Sequence, residues 1–432
     1  MGSFGTRTFA TVVVAGLVGV FALSGSSGAA TSGTEEGVTA KSVKIGFIYS
    51  KTGVASATSG DSDVGCKARV ERENAKGGVN GRKIEVEYLD DTSSSANLTG
   101  AQDLVQNKHV FMVVNDSAFA FLTYHWMLDH DVPLIGAGYD GTYYGVTGNE
   151  KVISAFGNQA PVNGVSYDVT AKIMKAMGAK KVASLGYSIS PSSSEAARSL
   201  NLYAVPAVGL DAVYTNTTVD FGSTDVNPLV LGIKNAGADA AFYAMNGNTN
   251  LAIAQGLVQN GVKMKAELMA TGYGQQLLDQ PVAKQLGPEI IFTQGWAPVE
   301  AKTKATKQLQ ADLKKYAGYT GVPDFGIYTG YIDCDLAILG MKQQGKNLRR
   351  STYAAGLRKL GHFNAGGGLG CGDTDVSVAG YGKPGATICT WAMQVKNGKF
   401  VVLKPKGSKK PYWTGKLVGA SVTEATTTTA AP

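Results

Sequence analysis

Apolar residues in this chain gather into short continuous runs, separated by longer stretches in which they recur at helical spacing. The first run, Val43-Lys-Ile-Gly-Phe-Ile-Tyr49, is apolar apart from Lys44, as a strand buried on both faces should be. A Ser/Thr/Gly loop from Ser50 to Asp61 follows, then a helical stretch from Asp61 to Ala75 whose early Asp61 and Asp63 suit the positive end of a helix dipole. Gly77, Gly78 and Gly81 can supply the positive φ angles that turn the chain into a second β-rich run, Lys83 to Leu89, ending at Asp90-Asp91. Strand, loop, helix, tight turn and strand make the first right-handed βαβ unit of a parallel sheet.

The rhythm then repeats. Helices are predicted over Ala96–Asn107 and Phe119–Asp129, and strands over Val110–Asn115 and Val132–Gly136. It pauses at Thr147–Pro161 and resumes with helix Gly164–Met177, strand Val182–Tyr187, helix Ser192–Tyr203 and strand Ala212–Thr217. Helix Val226–Ala236, strand Ala240–Met245, helix Thr249–Asn260 and strands Ala266–Thr271 and Ile290–Thr293 complete this second series. Alternation of this kind predicts an α/β protein with two doubly wound parallel-sheet lobes, the pause being the first crossing between them. Further on come a charged amphipathic helix, Ala301–Tyr316, a mostly apolar one, Tyr328–Gln343, and a third, Ser351–Leu360. A glycine-rich stretch, Gly366–Gly372, precedes strands near Thr390–Val395 and Lys399–Leu403, and the Thr-rich end, residues 418–432, has nothing to bury and is expected to be disordered.

Composition agrees with this division. A chain of 432 residues exceeds what one compact core usually holds. The net charge of +7 is not gathered into blocks, and the densest basic cluster, Lys404 to Lys410, reads as a solvated tail, so nucleic acid is not an expected partner. Residues 1–30 have the pattern of a secretory signal: Arg7, an apolar span from Phe9 to Leu23, and a small-residue exit at Ser27-Gly-Ala-Ala30. Export to the periplasm or cell surface is the expectation, with an uncleaved signal acting as a tether as the other possibility. No cysteine follows Leu23-Ser24-Gly25, which argues against a lipid anchor there. The four cysteines fit an oxidising destination and show no metal-ligand spacing. Cys371 and Cys389 bracket one loop-rich segment and pair on that ground, which leaves Cys66 and Cys334 to join two helices and to bring the late part of the chain back onto the first helix.

Catalytic machinery is hard to find. Gly382-Lys383 is followed by Pro384 where a phosphate loop needs Ser or Thr, and the glycine run has neither a strand before it nor a helix after it. His125 and His130 are five apart on a helix and do not share a face for a metal. There is no G-x-S-x-G elbow, and Asp90-Asp91 point to opposite faces of a strand. No catalytic residue, metal or cofactor is therefore expected. The loops at strand C-termini, where open α/β sheets bind ligands, instead carry uncharged hydrogen bonders and aromatics: Ser59, Asn115, Ser117, Tyr139, Asp140, Tyr187, Ser190, Asn246, Tyr273 and Trp296.

Several segments together resemble the type I periplasmic solute-binding proteins of ABC transporters, in particular the Leu/Ile/Val-binding family. They are the opening Val43-Lys-Ile-Gly-Phe, Asn74-Ala-Lys-Gly-Gly-Val-Asn-Gly-Arg-Lys-Ile-Glu with Asp90-Asp91, Asp220-Phe221, Asp239-Ala-Ala-Phe-Tyr and Gln259-Asn-Gly261. The resemblance implies two lobes joined by a three-crossing hinge that closes on a solute: residues 38–159 with 296–362, and residues 160–295 with 363–417. It also implies docking on a membrane permease, action as a monomer, and no enzymatic activity. The Ser/Thr pair that holds an α-carboxylate in the family maps to Ser117 or its neighbour Asn115 and near Tyr139 and Asp140. Aromatic positions map to Tyr328 or Tyr331, and Asn246 falls where the second lobe contributes. The family's acidic partner for an α-ammonium falls near Tyr273, which is not acidic, and this departure sets a branched-chain amino acid in doubt. The expected function is an extracytoplasmic receptor for a small amino-acid-like or aromatic, carboxylate-bearing solute. A sensor on the same fold and an α/β enzyme are the alternatives.

Overall fold

The computed structural model describes residues 35–136, 148–155, 164–377 and 389–419. Tyr139 and Asp140, the signal-like segment 1–30, most of the first crossing and the chain from 420 onward lie outside the described residues.

Two sheets organise the chain. The first contains β1 (Ser42–Tyr49), β2 (Lys83–Asp90), β3 (Met112–Asn115), β4 (Leu134–Gly136) and β5 (Val152–Ser154), all parallel, in the order β2-β1-β3-β4-β5. Strand β1 lies inside the sheet between β2 and β3, and Val43, Ile45, Phe47 and Ile48 are fully buried, which is why the run lacks a polar face. The pause in the sequence rhythm hides β5, too short to show a period but paired in register with β4.

Strand β6 (Val165–Tyr167) falls where a helix was expected. It pairs antiparallel with the late segment Leu417–Gly419, and the helix begins only at Val169. Local pattern could not anticipate a partner about 250 residues away. The second sheet holds β7 (Lys181–Tyr187), β8 (Asp211–Val219), β9 (Ala240–Ala244), β10 (Ala266–Met269) and β11 (Ile290–Gln294), which are parallel. After a small antiparallel pair, β12 (His362–Phe363) and β13 (Thr374–Asp375), the chain returns as β14 (Cys389–Lys396) and β15 (Lys399–Val402) to extend this sheet antiparallel. Its order is β15-β14-β11-β10-β9-β7-β8, with β16 (Trp413–Thr414) also on β14; β17 (Leu417–Gly419) and β6 form a separate two-stranded sheet.

Both sheets reverse strand order once, between β1 and β3 in the first and between β7 and β9 in the second. Those reversals open the crevices where ligands bind in folds of this kind. Between the sheets' sequence territories the chain sends the Phe325–Gln343 helix back onto the Ser62–Asn74 helix. The disulfide Cys66–Cys334 ties these two helices, and Cys371–Cys389 ties the start of β14 to the glycine-rich stretch, as the cysteine spacing had indicated. The glycine run is a short kinked helix, and the Gly366 N–H donates to buried Asp335, a packing contact rather than a phosphate cradle. Among the described residues no helix is long and apolar enough to cross a membrane.

Candidate functional site

A cavity of about 330 Å³ opens at the reversal point of the second sheet. Tyr187 at the end of β7, Ala244 to Asn246 after β9, Ala270 and Thr271 after β10, and Thr293 to Trp296 at the end of β11 surround it. The Pro191–Ser199 helix contributes Ser192, Ser193 and Ala196, and Leu200 continues the same face. Ser190 sits at that helix's N-cap, where its hydroxyl accepts from Ser193 N–H ahead of Pro191, a start that Ser-Pro encodes locally. From the segments expected to form the first lobe come Thr58, Ala118, Trp296 and Phe325 among the described residues.

The two sides meet at Asn246. Its side-chain amide donates to Val54 O at 2.9 Å, and its Oδ1 accepts from Thr58 Oγ1 at 2.9 Å. Its own backbone N–H donates to the Tyr187 hydroxyl, which in turn donates to Thr249 Oγ1 at 2.9 Å. Burial raises the Tyr187 pKa, so the phenol stays neutral. Nearby, Gln276 donates to Asp61 and Gln275 N–H to Val322 O, further bonds between the segments that face each other here. An aromatic frame stands at the mouth: Phe221 packs edge-on to Tyr187 with ring centres 4.6 Å apart and to Phe119 at 5.4 Å, and Trp296 stacks on Tyr328 at 5.5 Å and meets Phe325 at 5.2 Å.

Of the residues singled out in sequence, Tyr187, Ser190, Asn246 and Trp296 come together on this cavity. The others that are described do not line it. Ser117 and Asn115 sit at the first sheet's reversal point, inside a buried network centred on Asp91. The Asp91 carboxylate accepts from Ser50 Oγ at 2.7 Å, Asn97 Nδ2 at 2.8 Å and Ser117 Oγ at 2.5 Å, while Asn115 Nδ2 bonds Asn97 and Thr123. A strand-end polar cluster that looked available is committed to holding its own loops in place. Ser59 is buried and turns its hydroxyl toward Ala55 O. Tyr328 donates to Ala297 O and Tyr331 to Asp312, both on the Phe325–Gln343 helix and fully buried.

Tyr273 lines a smaller cavity of about 30 Å³ next to Asp324 and donates to Glu300 at 2.7 Å. Burial pushes the Asp324 carboxyl up to about 7; it caps the Phe325–Gln343 helix by accepting from Ile327 N–H at 2.9 Å. Among the described residues no cluster of His, Cys, Asp or Glu could hold a metal ion.

Sequence reasoning missed the cavity's apolar wall. Phe242 lies inside β9, Leu200 follows the Pro191–Ser199 helix, and Tyr167 lies in β6, whose stretch reads as helix. The strand-end rule points to loops, not to positions farther down a strand. Phe221 is the exception, since it stands in one of the segments that carry the family resemblance.

Comparison with known proteins adds a common architecture. The family model described as "Periplasmic binding protein" matches residues 42–399. A fatty acid ABC transporter substrate-binding protein from Thermomonospora curvata superposes with a TM-score of 0.71 at 19% identity, covering 86% of this chain and 93% of that one. The branched-chain amino acid transporter substrate-binding protein of Streptococcus pneumoniae, in complex with isoleucine, gives 0.66 at 20%, covering 84% and 100%. A solute-binding protein of an ABC transporter from R. palustris, in complex with 4-hydroxybenzoate, gives 0.67 at 18%, covering 87% and 98%. No curated protein sequence matches the chain.

Proposed function

The chain belongs to the periplasmic binding protein family, and from that premise we propose that it is the extracytoplasmic solute receptor of an ABC transporter, holding a small organic solute in the cavity beside Asn246. The observation that carries this reading is the Asn246 bridge. One residue of the second lobe bonds two backbone-linked groups of the first, Thr58 and Val54, directly over the cavity mouth. A hinge that closes there would exchange solvent for protein around the solute and present a closed form to a permease.

In this reading residues 38–159 with 296–362 form one lobe and residues 160–295 with 363–417 the other. Asn246 and Ser190 offer hydrogen bonds to the solute, and Tyr187 and Trp296 pack on it. Tyr139 and Asp140 belong to the same proposal as contacts from the first lobe. The related structures carry isoleucine in one case and 4-hydroxybenzoate in another, which supports a solute of amino-acid or aromatic-acid size. The receptor works as a monomer and is exported.

A thermal-shift screen of amino acids, aromatic acids and aliphatic acids tests it. A true ligand at about 100 times its Kd should stabilise the protein by about 2.7 kcal/mol. Silence across all three classes would sink the receptor reading.

A further inference from the structure

The cavity beside Asn246 does not stop at the lobe boundary. It runs beneath the strand ends into the second lobe, between the sheet and the Val169–Ala176 and Pro191–Ser199 helices, and reaches Phe242, Leu200 and Val169. Beyond the bend at Met245, Phe242 lies two steps of extended backbone inside the strand end at Ala244, roughly 7 Å at about 3.3 Å per residue. Phe242 and Leu200 belong to the apolar cluster on that face of the sheet, so the arm penetrates core rather than surface.

Its lining is uncharged. None of the described lining residues is Asp, Glu, Lys, Arg or His. Three of the hydroxyls along it are spent on backbone carbonyls: Ser193 Oγ donates to Ala244 O at 2.5 Å, Thr271 Oγ1 to Met245 O at 2.7 Å and Thr293 Oγ1 to Met269 O at 3.3 Å. A zwitterion placed deep in the arm would bury two charges with no counter-charge among the described lining residues, which costs several kcal/mol per ion. A methylene chain would meet walls that are mostly apolar, Val169, Ala196, Leu200 and Phe242 among them. The volume of about 330 Å³ falls at the small end of the range of ligand pockets, about 300–1,000 Å³, which suits a small solute.

Resting on the receptor reading above, we infer that the solute is an amphiphile, a medium-length aliphatic acid or close equivalent, whose apolar chain lodges in the second lobe's arm while its single polar head stays at the Asn246 mouth. An α-amino acid is not the ligand. The signature is dependence on chain length: each methylene buried in the arm adds about fourfold in affinity, until the arm is full.

Calorimetric titration of the purified full-length chain with hexanoate, octanoate, decanoate, benzoate and leucine tests this. The expected result is roughly fifteenfold tighter binding for each two-carbon step, with leucine silent. Leu200→Trp, which plugs the arm, should bring decanoate down to the level of hexanoate, and Ala196→Phe offers an independent plug, both checked for native circular dichroism. Equal affinity for the three aliphatic acids, or leucine bound more tightly than decanoate, overturns the inference and leaves the receptor reading standing. If none of the five binds and the wider thermal-shift screen is also silent, both fall.

Discussion

Glu267 lies in β10 with 1% of its surface exposed, and its carboxylate has the Tyr243 hydroxyl at 2.6 Å. Burial pushes its pKa up to about 7 from 4.5, with nearby Glu289 adding to the rise and the Tyr243 bond opposing it. An acid whose folded pKa is raised favours the folded state while protonated. Its contribution is complete below about pH 4.5 and is lost as pH climbs through 7. At about 1.4 kcal/mol per pKa unit, the loss is on the order of 3 kcal/mol. Glu267→Gln keeps an acceptor for Tyr243 and cannot ionise. In urea melts between pH 4.5 and 8, the variant should gain stability relative to wild type as pH rises, by up to that amount. A difference that stays constant with pH would show that folding does not raise the Glu267 pKa. Nothing in the sequence marks this residue, because its environment is made by strands β9 and β11 on either side. The same gap explains the cavity wall: Tyr187, Ser190, Asn246 and Trp296 were legible from their place at strand ends, while Phe242 and Leu200 acquire their role only when helix and sheet are packed.

At the level of elements, the crossing of the Ser62–Asn74 and Phe325–Gln343 helices holds the late part of the chain against the first. Two glycines let the backbones approach. A Cβ on Gly65 would stand 2.0 Å from Ile327 O, and one on Gly330 would stand 2.1 Å from Ser62 O. Around this contact Arg69 is fully engaged, its Nε to Asp335 at 2.5 Å and its Nη1 to Glu73 at 3.2 Å, and Cys66–Cys334 closes the joint with Cα atoms 5.3 Å apart. Two effects compete in Gly330→Ala. Helix propensity alone predicts a gain of about 1 kcal/mol, whereas overlap with a backbone carbonyl forces the helices apart, at about 1–3 kcal/mol or more for overpacking. The clash is with main chain on both sides and has no flexible side chain to yield, so it wins. Chemical denaturation should show Gly330→Ala less stable than wild type, and a more stable variant would mean that the helices do not pack this closely. The staple could be read from cysteine spacing and the helices from their periodicity. Their close approach could not, since a glycine inside a helical pattern reads first as a weak point.

For the whole molecule, the relevant balance is between lobes that meet and lobes that part, and the groups that set it are few. Asn246 supplies two hydrogen bonds across the mouth, to Thr58 and to Val54, each worth about 1 kcal/mol net. Asn246→Ala removes both and, at 1.4 kcal/mol per tenfold, shifts the equilibrium toward the open form by roughly thirtyfold. Gly274 acts from the other side. Its φ of +151° is one that a side chain disfavours, and a Cβ there would lie 2.6 Å from Asp324 Cβ, at the start of the long helix. Gly274→Ala therefore wedges the segments apart without touching the cavity. Both variants leave the two sheets intact, so their melting transitions should stay cooperative while solute affinity falls at least tenfold and small-angle scattering shows a larger radius of gyration. The pair separates closure from contact. Asn246 touches the cavity and Gly274 does not, so weaker binding in both ties affinity to closure, whereas loss in Asn246→Ala alone would make Asn246 a simple ligand contact on lobes that do not move.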